Sequence, residues 1–293
     1  MGSRKGIVYE TIQRFDSLMA IGESRREAKQ AMREATGIRT WSISDGKIHS
    51  HGTRKDYQKQ VLVFVNWVRT NYQIHRLEQL DARTEELVSC YLHHQMVNGA
   101  SAYTVKAERS AFRLFFGNPK LARSVRLKKR KREAITRSRG IAKHDKHFQP
   151  ANWQSHIRFA LATGLRRSEL RDLRIRDIFY DHDGTLMVHV VNGKGGRERE
   201  VCVLPGKEED VLAVIVGRDP DQHVFKSIPK HMDVHSYRRL FAQALYLCHA
   251  PGWELPPATG RLKPSDYNRP AAEKVSIALG HSRVSVVLRH YIR

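Results

Sequence analysis

The sequence predicts a mainly α-helical protein of two domains, the second of which contains a small antiparallel β-sheet. Apolar residues recur with the spacing of amphipathic helices along much of the chain. Short β-rich runs separated by glycine-bearing turns occur between residues 177 and 204. The chain has 293 residues, 40% of them hydrophobic, which is enough for two cores at roughly 100–200 residues per domain.

Residues 1–46 are predicted to form a helical appendage. A second, highly charged helix begins near Glu23 and ends at Thr36-Gly37, and the Ser-, Gly- and His-rich stretch 42–53 is expected to be a linker. The apolar residues that share the spacing of the first helix are Ile12, Phe15, Leu18 and Met19.

Residues 47–119 are predicted to form a compact helical domain. Thr53 is a candidate cap for its first helix, a second helix ends at Asn98-Gly99, and a third ends at Gly117. We interpret the aromatic residues of these helices as core residues rather than as a platform on which bases stack. The apolar residues of the first helix are Tyr57, Val61, Leu62, Phe64, Val65 and Val68.

A strongly basic segment follows, with ten basic residues and one acid between Lys120 and Arg139. Like charges repel one another, so such a segment stays extended unless a polyanion binds it. It is either a solvated or nuclear-localisation-type run or a segment that lies along DNA phosphates, and its position between two folded units favours DNA. Residues 120–147 are therefore predicted as a basic interdomain linker. Its predicted DNA-binding residues are Arg126, Lys128, Lys129, Arg130, Lys131 and Arg132.

The second predicted domain, residues 148–293, combines helices with a three-stranded antiparallel sheet. A helix closes at Thr163-Gly164, and a long loop rich in Pro and Gly spans 249–270. The strands are predicted at 177–180, 186–191 and 200–204, with glycine-bearing turns between them. Later helices are predicted at 207–216, 234–247, about 270–279 and 284–291.

The charge balance indicates a polyanionic partner. The sequence has 52 Lys and Arg against 30 Asp and Glu, a net charge of +22, and nucleic acid is favoured over a ribosomal or membrane-surface role. No apolar run approaches the 18 residues of a spanning helix, and the N-terminus lacks the apolar region of a signal peptide. Three distant cysteines without a CxxC pair predict a reducing cytoplasm, no disulfide framework and no metal site. The sequence has no nucleotide-binding glycine motif, so nothing in it suggests a nucleotide cofactor.

Five short motifs occur in order over about 130 residues of the second domain. Singly, each is compatible with an ordinary structural role, such as a helix cap or an amphipathic aromatic residue. Together they resemble the active-site boxes of the tyrosine recombinases, the phage-integrase family. The motifs are Thr163-Gly164-Leu165-Arg166 with Glu169, Asn192-Gly193-Lys194-Gly195-Gly196-Arg197, His235-Ser236-Tyr237-Arg238, Leu279-Gly280-His281, and Tyr291 ten residues after His281.

The resemblance implies a helical core-binding, SAM-like domain followed by a tyrosine-recombinase catalytic domain. It implies that Tyr291 attacks a DNA phosphodiester, leaving a 3′-phosphotyrosine and a free 5′-hydroxyl, with no metal, cofactor or ATP. Arg166 and Arg238 would bind the nonbridging oxygens, because guanidinium is always charged and binds phosphate bidentately. Lys194, on a glycine-bounded turn, would protonate the departing oxygen.

The remaining predicted site residues are supporting ones. His235 and His281 would hydrogen-bond the phosphate and assist proton transfer, while Glu169, one turn after Arg166, would orient Arg166 or a histidine. Two departures from the family are expected to matter. Only two residues follow Tyr291, so protomers would contact each other through surfaces other than a long C-terminal tail, and residues 1–46 are too short for an arm-binding domain.

The predicted function is therefore site-specific DNA recombination, as the integrase of a mobile genetic element. The resemblance implies double-stranded DNA held between the two domains, a homotetramer on two DNA sites, and a monomer or weak dimer off DNA. It implies a prokaryotic, nucleoid-associated cytoplasmic protein without membrane contact. The alternatives are a resolvase of DNA dimers, a type IB topoisomerase-like relaxer, and a recombinase-derived DNA-binding protein that no longer cuts.

Overall fold

The chain folds into two compact units, each with its own hydrophobic core. The computed structural model describes residues 6–38, 43–131, 148–193 and 196–293. The first unit ends at Arg130 and the second begins at Lys131. Both units are mainly helical, and the second contains a three-stranded antiparallel sheet. The predicted fold class is confirmed.

The described part of the first unit is built from six α-helices. They are α1 (Ile7–Ser17), α2 (Arg25–Thr36), α3 (His51–Tyr72), α4 (Leu77–Asp81), α5 (Thr84–Val97) and α6 (Ala102–Phe115). The predicted cap at Thr53 is wrong, since α3 begins two residues earlier at His51. Ser50 is the cap, and its hydroxyl accepts a hydrogen bond from the Thr53 amide at 3.2 Å.

Aromatic side chains of three helices form the centre of this core. The Phe64 ring of α3 lies 5.2 Å from the Tyr91 ring of α5 and 4.8 Å from the Phe112 ring of α6, and Phe64 is fully buried. These spacings are typical of packed aromatic pairs. Phe15 of α1 and Val125, beyond α6, are buried in the same core, so the packing extends past the predicted range 47–119 at both ends.

In the described part of the second unit, a 3₁₀ turn at Pro150–Trp153 precedes the first helix, and the sheet lies between two groups of helices along the chain. The helices are α7 (Gln154–Thr163), α8 (Arg167–Asp172), α9 (Glu208–Ile215), α10 (Val234–His249), α11 (Arg269–Ala278) and α12 (Val284–Val287), followed by a π-helical turn at Leu288–Ile292. The strands are β1 (Ile178–Tyr180), β2 (Leu186–Val190) and β3 (Arg199–Cys202).

The sheet has the order β1-β2-β3, with both pairs antiparallel. Val188 lies opposite Ile178 on one side and Val201 on the other, and Val188 and Val201 are buried. α10 packs against α7, α11 and the π-helical turn. Helix α10 is therefore the element that brings the distant motifs of this unit together.

Gly164 ends α7 at a position that only glycine fits. Its φ is +60°, and a Cβ atom there would lie 2.1 Å from a ring carbon of Phe241 on α10. The backbone of the first motif therefore lies directly against α10. Within the described ranges, no helix is both long and apolar enough to cross a membrane.

Gly164→Ala is expected to destabilise the protein more than Gly184→Ala. Gly184 has φ +74° but no atom within 4 Å of a built Cβ, so alanine there carries only the left-handed conformational cost of about 1–2 kcal/mol. At Gly164 the clash with Phe241 adds about 1–3 kcal/mol of overpacking. Denaturant unfolding of both variants checks this, and equal losses would mean that the Phe241 contact contributes nothing.

Candidate active site

The first motif places Arg166 at the start of a short helix and folds Glu169 back onto it. The Glu169 carboxylate accepts hydrogen bonds from the Arg166 amide at 2.8 Å and from Arg166 Nη1 at 2.7 Å. This is the reciprocal arrangement of a helix-capping glutamate three residues after the cap. The Glu169 side chain is 1% exposed and that of Arg166 is 18% exposed, so Arg166 is the member of the pair that a ligand can reach.

A second arginine, Arg199 at the start of β3, binds the other side of Glu169. Arg199 Nη1 and Nη2 donate to the two carboxylate oxygens of Glu169 at 2.9 and 2.8 Å. The sequence motifs did not predict this residue, because the predicted strand began at residue 200. Strand alternation was the available signal, since Arg199 shares a face with the buried Val201 and a buried arginine needs a carboxylate partner.

Glu169 is held as a carboxylate in spite of its burial. Burial alone would raise its pKa, but hydrogen bonds from Arg199 and from the Arg166 amide, together with the charge of Arg199, lower the pKa to about 2. Arg238 Nη1 lies 4.0 Å from the same carboxylate. Glu169 therefore keeps its negative charge at every pH at which the protein would normally work.

Arg238, in the third motif, is a fully buried arginine of α10, with 1% of its surface exposed. Its Nη1 donates to the Gly164 carbonyl, and its Nη2 donates to the Leu279 carbonyl at 2.5 Å. Burial and the nearby charge of Arg166 lower the pKa of Arg238 to about 10, although Tyr291 and Glu169 oppose the change. Arg238 is thus charged at neutral pH, and its Nε has no hydrogen-bond partner within the described residues.

The Leu279-Gly280-His281 motif is the C-terminal cap of α11. The His281 amide donates to the Ser276 carbonyl and the Gly280 amide to the Ile277 carbonyl, both at 2.8 Å. This pattern is a Schellman motif, and Gly280 supplies the left-handed residue with φ +62°. The glycine thus turns the chain sharply, and His281 is positioned at the turn.

The carbonyls at this end of α11 accept hydrogen bonds from three arginines. Arg166 Nη2 and Arg238 Nη2 both donate to Leu279, the first at 2.9 Å, and Arg199 Nε donates to Ala278 at 3.0 Å. The last carbonyls of a helix have no partner within the helix and carry partial negative charge. Cations are therefore stabilised here, and Arg166 and Arg238 are fixed relative to one another.

Tyr291 lies beside two of the predicted histidines and one of the predicted arginines. Its ring centroid is 5.3 Å from the ring centroids of both His235 and His281, and the Arg238 guanidinium carbon lies 5.6 Å from it. His235 is exposed, His281 is half-buried and Tyr291 is 6% exposed. The cluster therefore opens to solvent on the side of His235.

Side chains of α10 hold the π-helical turn that carries Tyr291. Gln243 Nε2 donates to the Ile292 carbonyl at 3.2 Å, and Arg239 Nη2 donates to the Arg293 carbonyl. Single π-helical turns are rare and occur frequently at functional sites. The turn places Tyr291 in the same cluster as His235 and Arg238, which lie three residues apart on α10.

Most of the predicted catalytic residues therefore share one cluster, whereas Lys194 lies outside the described residues. Those brought together are Arg166, Glu169, His235, Arg238, His281 and Tyr291. Of the predicted DNA-binding residues, Arg132 also lies outside the described part of the chain. The others, all exposed, are Arg126, Lys128, Lys129, Arg130 and Lys131. No three His, Cys, Asp or Glu side chains within the described ranges could jointly hold a metal ion.

Comparisons with known proteins give one family match, within the first unit, and several similar solved structures. Residues 42–118 match the family model described as the phage integrase N-terminal SAM-like domain. A search of the curated proteins finds no match. The XerH site-specific recombinase in a pre-cleavage complex with difH is 14% identical, with 99% of this chain and 94% of that chain covered and a TM-score of 0.47.

Two further solved structures match at a similar sequence identity. The Tn1549 transposon integrase, residues 82–397, in complex with circular intermediate DNA, is 15% identical, with 93% of this chain and 96% of that chain covered and a TM-score of 0.46. The XerA recombinase is 14% identical, with 97% and 94% covered and a TM-score of 0.31. Residues 42–118 thus carry a phage integrase SAM-like domain, as the resemblance to the tyrosine recombinases of the phage-integrase family implied.

Proposed function

We propose that this protein is a site-specific DNA recombinase that cuts and rejoins strands through a 3′-phosphotyrosyl intermediate, as the integrase of a mobile genetic element. The observation that carries the proposal is the contact of Tyr291 with His235, His281 and Arg238 in one partly open cluster. Double-stranded DNA is the partner, and four protomers act on two DNA sites.

In the first step, the hydroxyl oxygen of Tyr291 attacks the phosphorus of a phosphodiester. A bond forms between this oxygen and phosphorus, and the bond between phosphorus and the 5′-oxygen breaks. The tyrosine proton passes to a histidine or to water, and the 5′-oxygen takes a proton from Lys194. Attack by a 5′-hydroxyl of a second duplex reverses these steps and joins the exchanged strands, so no external energy source is needed.

Arg166 and Arg238 are suited to stabilise the phosphorane-like transition state. Both are held by the Leu279 carbonyl, so their positions are set before DNA binds. Fixed charges of this kind lower a barrier effectively, because they need not reorganise when charge develops. Arg238 is 1% exposed and its guanidinium carbon lies 5.6 Å from the centroid of the Tyr291 ring, so it supplies fixed positive charge beside the proposed nucleophile.

Lys194 is proposed as the acid because an alkoxide is a poor leaving group without a proton. The residue belongs to the connection between β2 and β3, and it is flanked by Gly193 and Gly195. Arg199, the first residue of β3, donates hydrogen bonds to the buried Glu169. This contact fixes the β3 end of the connection near Arg166, which Glu169 also binds. A lysine amine suits the task, since it carries a proton at neutral pH and lies at the end of a flexible four-carbon side chain.

The basic segment is proposed to bind DNA phosphates, so binding should weaken steeply with salt. If roughly 6–10 phosphates are contacted, affinity should fall about 10³- to 10⁵-fold between 50 and 200 mM salt. Lys128→Ser with Lys129→Ser should lower the slope by about 2 and weaken binding to all sequences alike. Arg171→Ser with Arg176→Ser removes exposed arginines already paired with acids, and is the control. Loss of sequence discrimination in the first variant would contradict phosphate contact.

Covalent trapping tests the proposed function directly. The probe is a set of duplex fragments that cover the DNA flanking the protein's own gene, with scattered nicks so that a cleaved strand end diffuses away. Incubation in 1 mM chelator should give a protein–DNA product that survives a denaturing gel and disappears with protease. No product on any fragment, or a product that requires a divalent metal, would overturn the proposal.

A further inference from the structure

The structure assigns Arg199 the role of a positioning residue that fixes the Arg166–Glu169 pair and the end of α11 in one geometry. This inference rests on the proposed function, because the groups that Arg199 fixes are those proposed to bind the phosphate. None of the sequence motifs contains Arg199 among its catalytic positions. The argument depends on three contacts, on the burial of the side chain, and on the place of Arg199 in the chain.

All three donor nitrogens of the Arg199 side chain form hydrogen bonds within the protein. Its two terminal nitrogens bind Glu169, and its Nε binds the Ala278 carbonyl. The side chain is 9% exposed, so its donors are not available to DNA. Arg199 therefore acts through the residues that it holds rather than by touching the reacting atoms.

These contacts join three separate parts of the site. Glu169 belongs to α8 and binds Arg166. Ala278 lies at the end of α11, next to Leu279, whose carbonyl binds Arg166 and Arg238. Arg199 itself is the first residue of β3. A Cβ atom on Gly280 would lie 3.0 Å from the Arg199 side chain, so the turn before His281 also packs against it. A change at Arg199 should therefore disturb the arginine pair without removing any residue proposed to touch DNA.

The charge of Arg199 also sets the protonation state of Glu169. The charged groups that face this carboxylate are Arg166, Arg199 and Arg238. Burial favours the protonated form, and Arg199 is the strongest opposing influence on the Glu169 pKa. Without Arg199 we expect this pKa to rise, and a protonated Glu169 would hold Arg166 through fewer and weaker hydrogen bonds.

The experiment compares Arg199→Met, Arg199→Lys and the control Arg176→Met, an arginine of the same unit that is exposed and pairs with Asp221. Single-turnover covalent product formation is measured from pH 5 to 8, with saturating DNA of the fragment captured by the wild type. Arg199→Met should lose about 10²-fold in rate, the cost of misplacing a catalytic group by roughly 1 Å. The loss should grow toward pH 5, because a raised Glu169 pKa leaves less carboxylate there. DNA affinity should stay within about twofold, since contacts to phosphate are not removed.

Arg199→Lys keeps a cation beside Glu169 but not the paired hydrogen bonds. Its rate should therefore be reduced with little dependence on pH, whereas Arg176→Met should match the wild type throughout. A loss in Arg199→Met that is the same at every pH, or one that appears in DNA affinity instead of rate, would overturn the positioning role and leave Arg199 as a packing residue.

Thermal unfolding separates this inference from the proposed function. The Tm difference between wild type and Arg199→Met should widen as pH rises from 4.5 to 7. In the variant, the folded protein favours the protonated form of the buried Glu169, so this residue contributes to stability only at low pH. The contribution is lost as the carboxyl ionises with rising pH. If the wild type forms no covalent product while this widening is seen, the proposed function fails but the hold of Arg199 on Glu169 stands. A constant Tm difference would overturn the inference itself.

Discussion

Tyr291→Phe is expected to bind DNA as the wild type does and to form no covalent protein–DNA product. The substitution removes one oxygen, the proposed nucleophile, and leaves the ring, whose centroid lies 5.3 Å from those of His235 and His281. DNA affinity should stay within about twofold, since no phosphate contact is lost. Gel-shift titration measures binding, and denaturing gels of the nicked-fragment reaction measure the covalent product.

Tyr267→Phe is the matched control, because Tyr267 is a half-buried tyrosine of the same unit that packs against the same core. It should form the product at the wild-type rate. If Tyr291→Phe still forms product and Tyr267→Phe does not, the nucleophile is Tyr267. Loss of product in both variants with loss of thermal stability would indicate damage to the core instead.

Replacing the bridging 5′-oxygen of the DNA by sulfur is expected to restore cleavage by Lys194→Ala. An alkoxide needs a proton to leave, since a comparable hydroxyl, water, has a pKa of about 15.7. A thiolate leaves far more readily, because a thiol such as free cysteine has a pKa of about 8.5. The substrate is the duplex captured by the wild type, and the rate of covalent product formation is measured with oxygen and with sulfur.

Arg166→Ala is the contrasting variant. It should lose about 10²- to 10³-fold in cleavage, by analogy with the loss of one oxyanion-stabilising donor. Sulfur should not restore it, because Arg166 is proposed to act on the nonbridging oxygens. Equal defects of Lys194→Ala with both substrates would mean that Lys194 contacts a phosphate or groove, and the acid would then be a histidine or water.

The sequence predicted the second unit well because its signals are local. Short β-rich runs and glycine-bearing turns marked the strands at 186–191 and 200–204, and the structure has β2 at Leu186–Val190 and β3 at Arg199–Cys202. A difference of one residue at the start of β3 was enough to miss Arg199, which the prediction left between the turn and the strand. Its partner, Glu169, lies 30 positions earlier in the sequence, and no local pattern reports such a contact.

The contrast between local signals and contacts of distant residues also explains the other points at which the prediction and the structure differ. Ser50 and Thr53 are both good caps by composition, and the choice of Ser50 depends on where the extended backbone before α3 ends. The motifs predicted that Arg166 and Arg238 would cooperate. That they meet at the Leu279 carbonyl depends on the packing of α10 against α11, which residue types alone do not determine.

The shared Leu279 carbonyl gives this arrangement a mechanical property. One oxygen atom sets the spacing between two guanidinium groups, and that atom is fixed to the last turn of α11 rather than to a side chain that can rotate. A displacement of α11 by about an ångström would lengthen both hydrogen bonds beyond useful range together. A movement of α11 should consequently disturb both arginines at once, while Glu169 continues to hold Arg166 and the Gly164 carbonyl continues to hold Arg238.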